Sequence, residues 1–238
     1  MKWTEKYKFL ASDTDLNDVI SPSSILRYMQ DTANCNMDAG RPTYSELLER
    51  GLAFILSRIS INFYSPIHAH DEVVSESWPT PSRGVTFNRC YRMTRDGDIV
   101  AEASSAWALV STDDKRLLRV SEFECGYGED EPLEMGLSRF KIPSDLEMTL
   151  RGERRVEYAD ADVNGHMNNA HYPDILLSYT VPMKGLRVTN MNISFINEAP
   201  VGCLLKFYAG ECDGVYYIRT LREDGSVNAE ASVTFEKI

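Results

Sequence analysis

The chain has 238 residues, is 43% hydrophobic and carries a formal net charge of −11. That length suits one large or two small domains, and the acidic excess argues against non-specific nucleic-acid binding, which rests on cationic surface. No stretch reaches the roughly 18 consecutive apolar residues of a membrane helix. The opening Met1-Lys2-Trp3-Thr4-Glu5-Lys6 has no apolar run behind it, so it does not read as a secretory signal. The five cysteines (35, 90, 125, 203 and 212) are odd in number and lack Cys-x-x-Cys spacing. This favours reduced thiols in a cytoplasm.

Tyr7 to Ala11 reads as a strand. Ser21-Pro22 then opens a helix, with Ser as N-cap and Pro at the first helical position. Ile25, Tyr28, Met29 and Thr32 continue it as a stripe at i, i+3, i+4 and i+7. Thr43-Tyr44-Ser45-Glu46 is a capping box that starts a short second helix. From Ala53 to Tyr64 the pattern turns to β, with Ile55, Ser57, Ile59, Ile61 and Phe63 alternating against Arg58, Ser60 and Asn62. Phe87–Thr94 and Ile99–Ser111 flank the hairpin signal Asp96-Gly97. The stretch 122–149 holds glycines 126, 128 and 136, prolines 132 and 143 and the acidic run Glu129-Asp130-Glu131, and reads as a linker. Beyond it the pattern recurs: a strand at Arg154–Tyr158, then a helical stripe of Tyr172, Ile175, Leu176 and Tyr179. Strands follow at Val188–Ile196, Cys203–Glu211, Val215–Arg222 and Val227–Ile238. Each half is thus one main helix with a strand before it and an antiparallel meander after it, an α+β layering.

The recurrence is also literal. Asp13, Asp15 and Asn17 match Asp160, Asp162 and Asn164; Ile61-Asn62-Phe63 matches Ile193-Ser194-Phe195; Asp96-Gly97 through Ala101-Glu102-Ala103-Ser104 matches Asp224-Gly225 through Ala229-Glu230-Ala231-Ser232. Three ordered matches with one unit per half indicate two fused domains rather than a solenoid. The units are 1–121 and 150–238, joined by the linker 122–149. Within this register His166 stands where the first half has Val19, and Glu198 where it has Pro66. A repeat kept for folding alone has no need of those two residues in one half only. The expectation is one working site in the second unit and one degenerate site in the first.

The densest polar run is Asp160-Ala161-Asp162-Val163-Asn164-Gly165-His166-Met167-Asn168-Asn169. Asp, Asn and Gly are turn residues, so a plain surface loop is the simplest reading. The spacing of Asp162, Asn164 and His166 two apart, just before an apolar helical pattern, instead suggests a turn feeding a helix N-terminus. Backbone N–H groups there would stabilise a developing anion. No Gly-x-Ser-x-Gly is present, which argues against a serine hydrolase elbow. Glu198 or His166 is suited to take a proton from water, Asp162 to orient His166, and Asn164 to hold the water or the substrate. Which of the two is the base stays open, as does direct attack by a carboxylate. His68-Ala69-His70 lacks a third ligand and reads as an ordinary turn, so no metal or other cofactor is expected. Glu198-Ala199-Pro200-Val201-Gly202 would on its own read as a turn between strands.

This run resembles the active-site segment of plant and bacterial acyl-acyl carrier protein (ACP) thioesterases, Asp-x-Asp-x-Asn-x-His-x-Asn-Asn. The likeness extends to Phe195-Ile196-Asn197-Glu198 and, in the first half, to Trp78-Pro79 and the strand of Trp107. It implies a tandem (double) hotdog fold, each unit a central helix wrapped by a curled antiparallel sheet. It also implies hydrolysis of the thioester of fatty acyl-ACP, which releases free fatty acid and terminates chain elongation. The site carried over is Asp162, Asn164, His166 and Glu198. Plant members often have cysteine after the glutamate; Ala199 stands there, so no cysteine nucleophile exists at that position. The partners implied are a fatty acyl chain and ACP as its carrier, with no nucleic acid, no membrane span and a homodimer as one assembly state. Alternatives are an acyl-CoA thioesterase, a dehydratase of the hotdog class, or a non-catalytic acyl-thioester sensor on the same fold. The first unit, free of His166, is expected to bind the acyl chain, with Ile25 and Met29 lining a tunnel. Arg139, Lys141, Arg151, Arg154 and Arg155 are candidates for a basic face toward acidic ACP.

Overall fold

The computed structural model describes residues 2–123, 128–181 and 183–238. Cys125 and Gly126, counted above among the thiols and linker glycines, lie outside them. The elements of the first half are β1 (Trp3–Lys8), α1 (Pro22–Ala39), α2 (Tyr44–Glu49), β2 (Leu52–Phe63), β3 (Glu72–Arg83), β4 (Thr86–Arg95) and β5 (Asp98–Ser111). The second half has β6 (Thr149–Arg155), α3 (Tyr172–Leu177), β7 (Leu186–Phe195), β8 (Leu204–Cys212), β9 (Val215–Arg222) and β10 (Val227–Lys237).

The start signals read from sequence act as expected. The Ser21 side chain accepts from the Ser24 N–H ahead of Pro22. Thr43 and Glu46 close their reciprocal capping box on α2. Asp96 and Gly97 both take positive φ, 54° and 92°, the geometry a two-residue hairpin requires. The first strand of each half lies earlier than its apolar residues suggest, at Trp3–Lys8 and Thr149–Arg155. Phe9 and Val156 are buried anchors at which the chain already turns inward. Short 3₁₀ turns follow, capped when Asp13 accepts from the Leu10 N–H and Asp160 from the Glu157 N–H. The alternation in β2 is broken by a register shift between Leu56 and Arg58. Leu56, rather than Ile55, is therefore buried alongside Ile59, Ile61 and Phe63. The second helix stripe shortens to α3 plus the 3₁₀ turn Asn169–His171, and Tyr179 falls beyond it, stacked on Phe207.

One antiparallel sheet runs β1-β3-β4-β5-β2-β7-β10-β9-β8-β6. The second five strands mirror the first five, and the halves join edge to edge where β2 pairs with β7. Ser60 faces Asn192 there, while Arg58 faces Ser194 and Asn62 faces Asn190. Ser60 and Asn192 are equivalents in the repeat, so a pseudo-twofold axis passes between them. A continuous apolar core covers one face, joining Leu26 and Met29 of α1 and Leu176 of α3 to Ile61, Met191, Ile193 and Val233 of the strands. The helices meet reciprocally: the Ser23 N–H donates to Asp174 Oδ1 and the Asp174 N–H to Ser23 Oγ, each at 3.0 Å.

The connection between the halves crosses the opposite face. Leu133 packs on Trp78 and Cys90, Trp78 Nε1 donates to the Glu131 carbonyl, and the Ser138 N–H donates to Ser60 Oγ. It passes so close to β8 that a Cβ on Gly210 would lie 2.6 Å from the Glu147 carbonyl oxygen. Gly210→Ala should therefore destabilise the chain by about 1–3 kcal/mol through overpacking against backbone. Equilibrium urea unfolding measures this; an unshifted midpoint would mean the connection does not hold its place against β8.

Candidate active site

The two Asp-x-Asn turns fold alike. Asp15 N donates to the Val19 carbonyl and Asp162 N to that of His166. Asn17 N donates to Asp15 Oδ1 and Asn164 N to Asp162 Oδ1. Ile20 N reaches the Ile67 carbonyl as Met167 N reaches that of Ala199. This last pair fixes the register: Glu198, one residue before Ala199, occupies the place of Pro66, and His166 that of Val19.

With backbones matched, the side chains diverge. His166 Nε2 lies 3.4 Å from Glu198 Oε2, with the two side chains 30% and 48% exposed. That separation is longer than an ordinary N–H···O bond, as is common at catalytic pairs before substrate closes on them. Asp162 does not pair with His166; its carboxylate accepts from the Asn164 N–H at 2.9 Å and from Asn164 Nδ2 at 3.4 Å. The Asn168 side chain caps the following turn through the Ala170 N–H. Asn169 lines the same cavity, and no hydrogen bond holds its side chain among the described residues. In the first half Asn17 is instead a structural clip: its Nδ2 donates to the carbonyls of Met183 and Leu186 and its Oδ1 accepts from the Gly185 N–H.

His166, Glu198, Asp162, Asn164 and Asn169 stand on a cleft of about 840 Å³. Most of its other walls come from the first half. Ala33 and Met37 of α1, Tyr44 and Leu47 of α2 and the run from Leu52 to Ser57 of β2 line it. Phe54, Phe87 and Phe123 pack edge to face within it, with centroids 5.3–5.8 Å apart. The sheet explains its position. β7 pairs with β2 only as far as Arg58–Ser194, so β2 continues uncovered from Ser57 back to Leu52. Ile25 and Met29 do not line this cleft: Met29 lies wholly in the core, and Ile25 borders a second, small pocket. The helix face that does line it, Gln30, Ala33, Asn34 and Met37, is offset from the apolar stripe that marks the core.

That second pocket, about 30 Å³, is the pseudo-symmetric counterpart, lined by Asp15, Val19, Ile25, Phe63 and Pro66. Met183, Val188 and Arg187 close it, the Arg187 guanidinium donating to the carbonyls of Phe63 and Tyr64. Among the described residues the second half has no counterpart of α2 to hold it open, and β7 begins at Leu186, the place of Phe54, two residues short of the start of β2.

At the wall of the larger cleft, Tyr172 reaches inward to Asn228, with Asn228 Nδ2 at 2.9 Å from its hydroxyl. Burial foremost pushes the Tyr172 hydroxyl up to about 12, against the lowering effect of the Asn228 bond. The Glu198–Pro200 turn and the His166 turn are themselves joined by a β-bridge between His166 and Pro200. The site turn is anchored from below by Asp160, 3% exposed and paired to Arg154 at 2.5 Å. His68 and His70 do form a turn: His68 Nδ1 sits 2.8 Å from the Asp18 carbonyl and His70 has φ 73°. Of the basic residues near the linker end, Arg154 serves Asp160, and Arg155 reaches the Gly202 carbonyl and Glu223. Sequence reasoning left Asn169, Tyr172 and Asn228 out of the site. The contrast of Tyr172 and Asn228 with Ile25 and Val100 in the other half was the available signal.

The model of the acyl-ACP thioesterase N-terminal domain matches residues 1–125, and that of the C-terminal domain matches residues 144–237. A crystal structure of an acyl-ACP thioesterase from Bacteroides thetaiotaomicron VPI-5482 superposes with a TM-score of 0.83 at 18% identity, covering 99% of this chain and 98% of that one. The 12:0-ACP thioesterase from Umbellularia californica gives 0.78 at 16% identity, covering 100% and 98%. No curated protein sequence matches significantly. The fold is the α+β double hotdog expected from the sequence.

Asp160 supplies a test of the anchor. Burial opposes its ionisation, but the Arg154 pair and the Glu157 N–H outweigh burial and hold its carboxyl below the usual range. A depressed carboxylate contributes stability that is present above its unfolded pKa of about 4 and is lost as pH falls through the lower folded value. Urea unfolding from pH 6 down to pH 2 should therefore show a steeper acid loss for the native chain than for Asp160→Asn. Parallel curves would contradict the anchoring pair.

Proposed function

Because this chain belongs to the acyl-ACP thioesterase family, a family of thioester hydrolases that cleave fatty acyl-ACP to free fatty acid and end chain elongation, we propose that the reaction is carried out by Asp162, Asn164, His166 and Glu198 of the second unit. The unit boundaries that fit this division are 1–121 and 150–238, with 122–149 as the connecting linker. The observation that carries the reading is the His166–Glu198 approach at 3.4 Å on the large cleft, set against Val19 and Pro66 on the small one.

The chemistry follows from the placement. A water held by Glu198 and His166 gives up a proton to that pair as its oxygen adds to the thioester carbonyl carbon. The oxyanion that forms is met by carboxamide donors, Asn164 and Asn169, at the cleft wall. The tetrahedral intermediate then expels the thiolate as the C–S bond breaks. The proton held by the pair passes to sulfur, so the products are the carboxylic acid and the carrier's thiol. Asp162 keeps Asn164 in place through the two contacts between them. The apolar wall along β2 with Phe54 and Phe87 in the first unit supports an acyl-binding role for that unit. No helix among the described residues is long and apolar enough to cross a membrane. The cysteine pattern supports a cytoplasmic setting, and a homodimer is compatible with the reading.

His166→Ala and Glu198→Gln should each lower kcat on acyl-ACP about 10²–10⁴-fold while the fold survives. Thiol release alongside circular dichroism measures both, and normal turnover by either folded variant would remove that residue from the mechanism.

Asp15→Ala should leave turnover nearly unchanged and cost about 0.5–2 kcal/mol through the lost turn cap. A loss of turnover equal to that of Asp162→Ala would point to two working sites.

A further inference from the structure

Resting on that reading of the site, we propose that Asn228 and Tyr172 are positioning residues for Glu198, a buried clamp under the turn that carries it. In both halves the last meander strand bulges by one residue just after its hairpin. β5 shifts register at Val100 and β10 at Asn228. The bulged residue points inward and is nearly fully buried in each case, 1% exposed. Its carbonyl accepts from two successive N–H groups of the strand-end segment that crosses it, Tyr64 and Ser65 in one half, Ile196 and Asn197 in the other. The backbone device is therefore common to both halves, and an apolar side chain suffices for it. Val100 fills the first copy, with Ile25 of α1 in the place corresponding to Tyr172.

The second copy is polar where the first is not. Asn228 Nδ2 donates to the Asn197 carbonyl at 2.5 Å and approaches the Tyr172 hydroxyl at 2.9 Å. Its Oδ1 accepts from Thr220 Oγ1 at 2.8 Å. The Tyr172 ring packs edge-on to Phe195 at 5.1 Å, three residues before Glu198. Asn197 Nδ2 adds a bond to the Val227 carbonyl at 2.7 Å. Asn197, the residue immediately before Glu198, is thus held at both its N–H and its carbonyl. Burying an amide and a phenol where isoleucine and valine serve the same bulge carries a desolvation cost that only full hydrogen bonding offsets. The first half forms the same bulge and the same backbone bonds with Val100, without a polar side chain. The segment held above it ends in Glu198 where the first half has Pro66. Held from below, the carboxylate is kept within reach of His166, and a catalytic group displaced by even about 1 Å can lose roughly 10²-fold in rate.

The test is a double-mutant cycle on kcat and KM for acyl-ACP hydrolysis, with Asn228→Val (the first-half residue) and Glu198→Gln. Asn228→Val should lower kcat about 10–10²-fold with KM changed little, because an effect confined to the reaction step appears in kcat. In the Glu198→Gln background the same change should add almost nothing, since the group it positions has already lost its basic function. Tyr172→Phe, which removes only a hydroxyl, should show the same pattern at smaller size and carries the test if Asn228→Val does not fold. Equal losses in both backgrounds, or a loss in KM alone, would make the pair structural and overturn the clamp while leaving the site assignment intact. Full activity of Glu198→Gln by itself would overturn the site assignment and the clamp with it.

Discussion

The pairing of β2 with β7 is the constraint from which the rest follows. It joins the two sheets edge to edge about a pseudo-twofold between Ser60 and Asn192, and lets one core serve both halves. It also ends early. Past Arg58–Ser194 the two strands part, β2 running on toward Leu52 while β7 closes at Phe195 and hands the chain to the Glu198 turn. The cleft opens where they separate. Its rim of His166 and Glu198 therefore belongs to the second half and most of its other walls to the first.

Symmetry places two such pockets in the molecule, and side chains make them differ. At the first, Arg187 hydrogen-bonds the carbonyls of Phe63 and Tyr64, and Met183 and Val188 help close the remaining space to about 30 Å³. At the second, α2 and the long β2 keep about 840 Å³ open. The residues inserted into the first half thus line the large cleft rather than the small one. Polar side chains follow the same division. Asn17 is tied to the backbone of the 183–186 loop, whereas its counterpart Asn164 stands exposed beside Asp162.

Much of this was legible in the sequence because the repeat has a fixed register. The offset of 147 residues between the Asp-x-Asn turns (13 to 160) and of 132 between the central strands (61 to 193) survives in the paired hydrogen bonds and in the Ser60–Asn192 centre. Capping residues were legible because their chemistry is local. What was not legible depends on tertiary context. The bulge near Ser57 moves burial from Ile55 to Leu56, and no alternation pattern reports it in advance. The strand starts at Trp3 and Thr149 were missed because the edge strands carry no buried residue and the apolar anchors Phe9 and Val156 sit outside them. The cleft face of α1 was assigned to Ile25 and Met29 because apolarity marks the core as well as a lipid-binding wall. Arg154, offered as part of a docking face, turned out to be engaged by the buried Asp160. Asn228 was read only as part of the strand Val227–Ile238, and the bulge that turns it inward leaves no local signal.

The central claim is that a duplicated fold holds one working site. Calorimetric titration of the whole chain with ACP bearing a non-hydrolysable thioether analogue of a fatty acyl thioester tests it most directly. The account predicts one equivalent bound per chain, with binding weakened by bulky substitution at Ala33 on the large cleft and untouched by substitution at Val19 on the small one. Two equivalents per chain, or binding that responds to Val19 and not to Ala33, would contradict it.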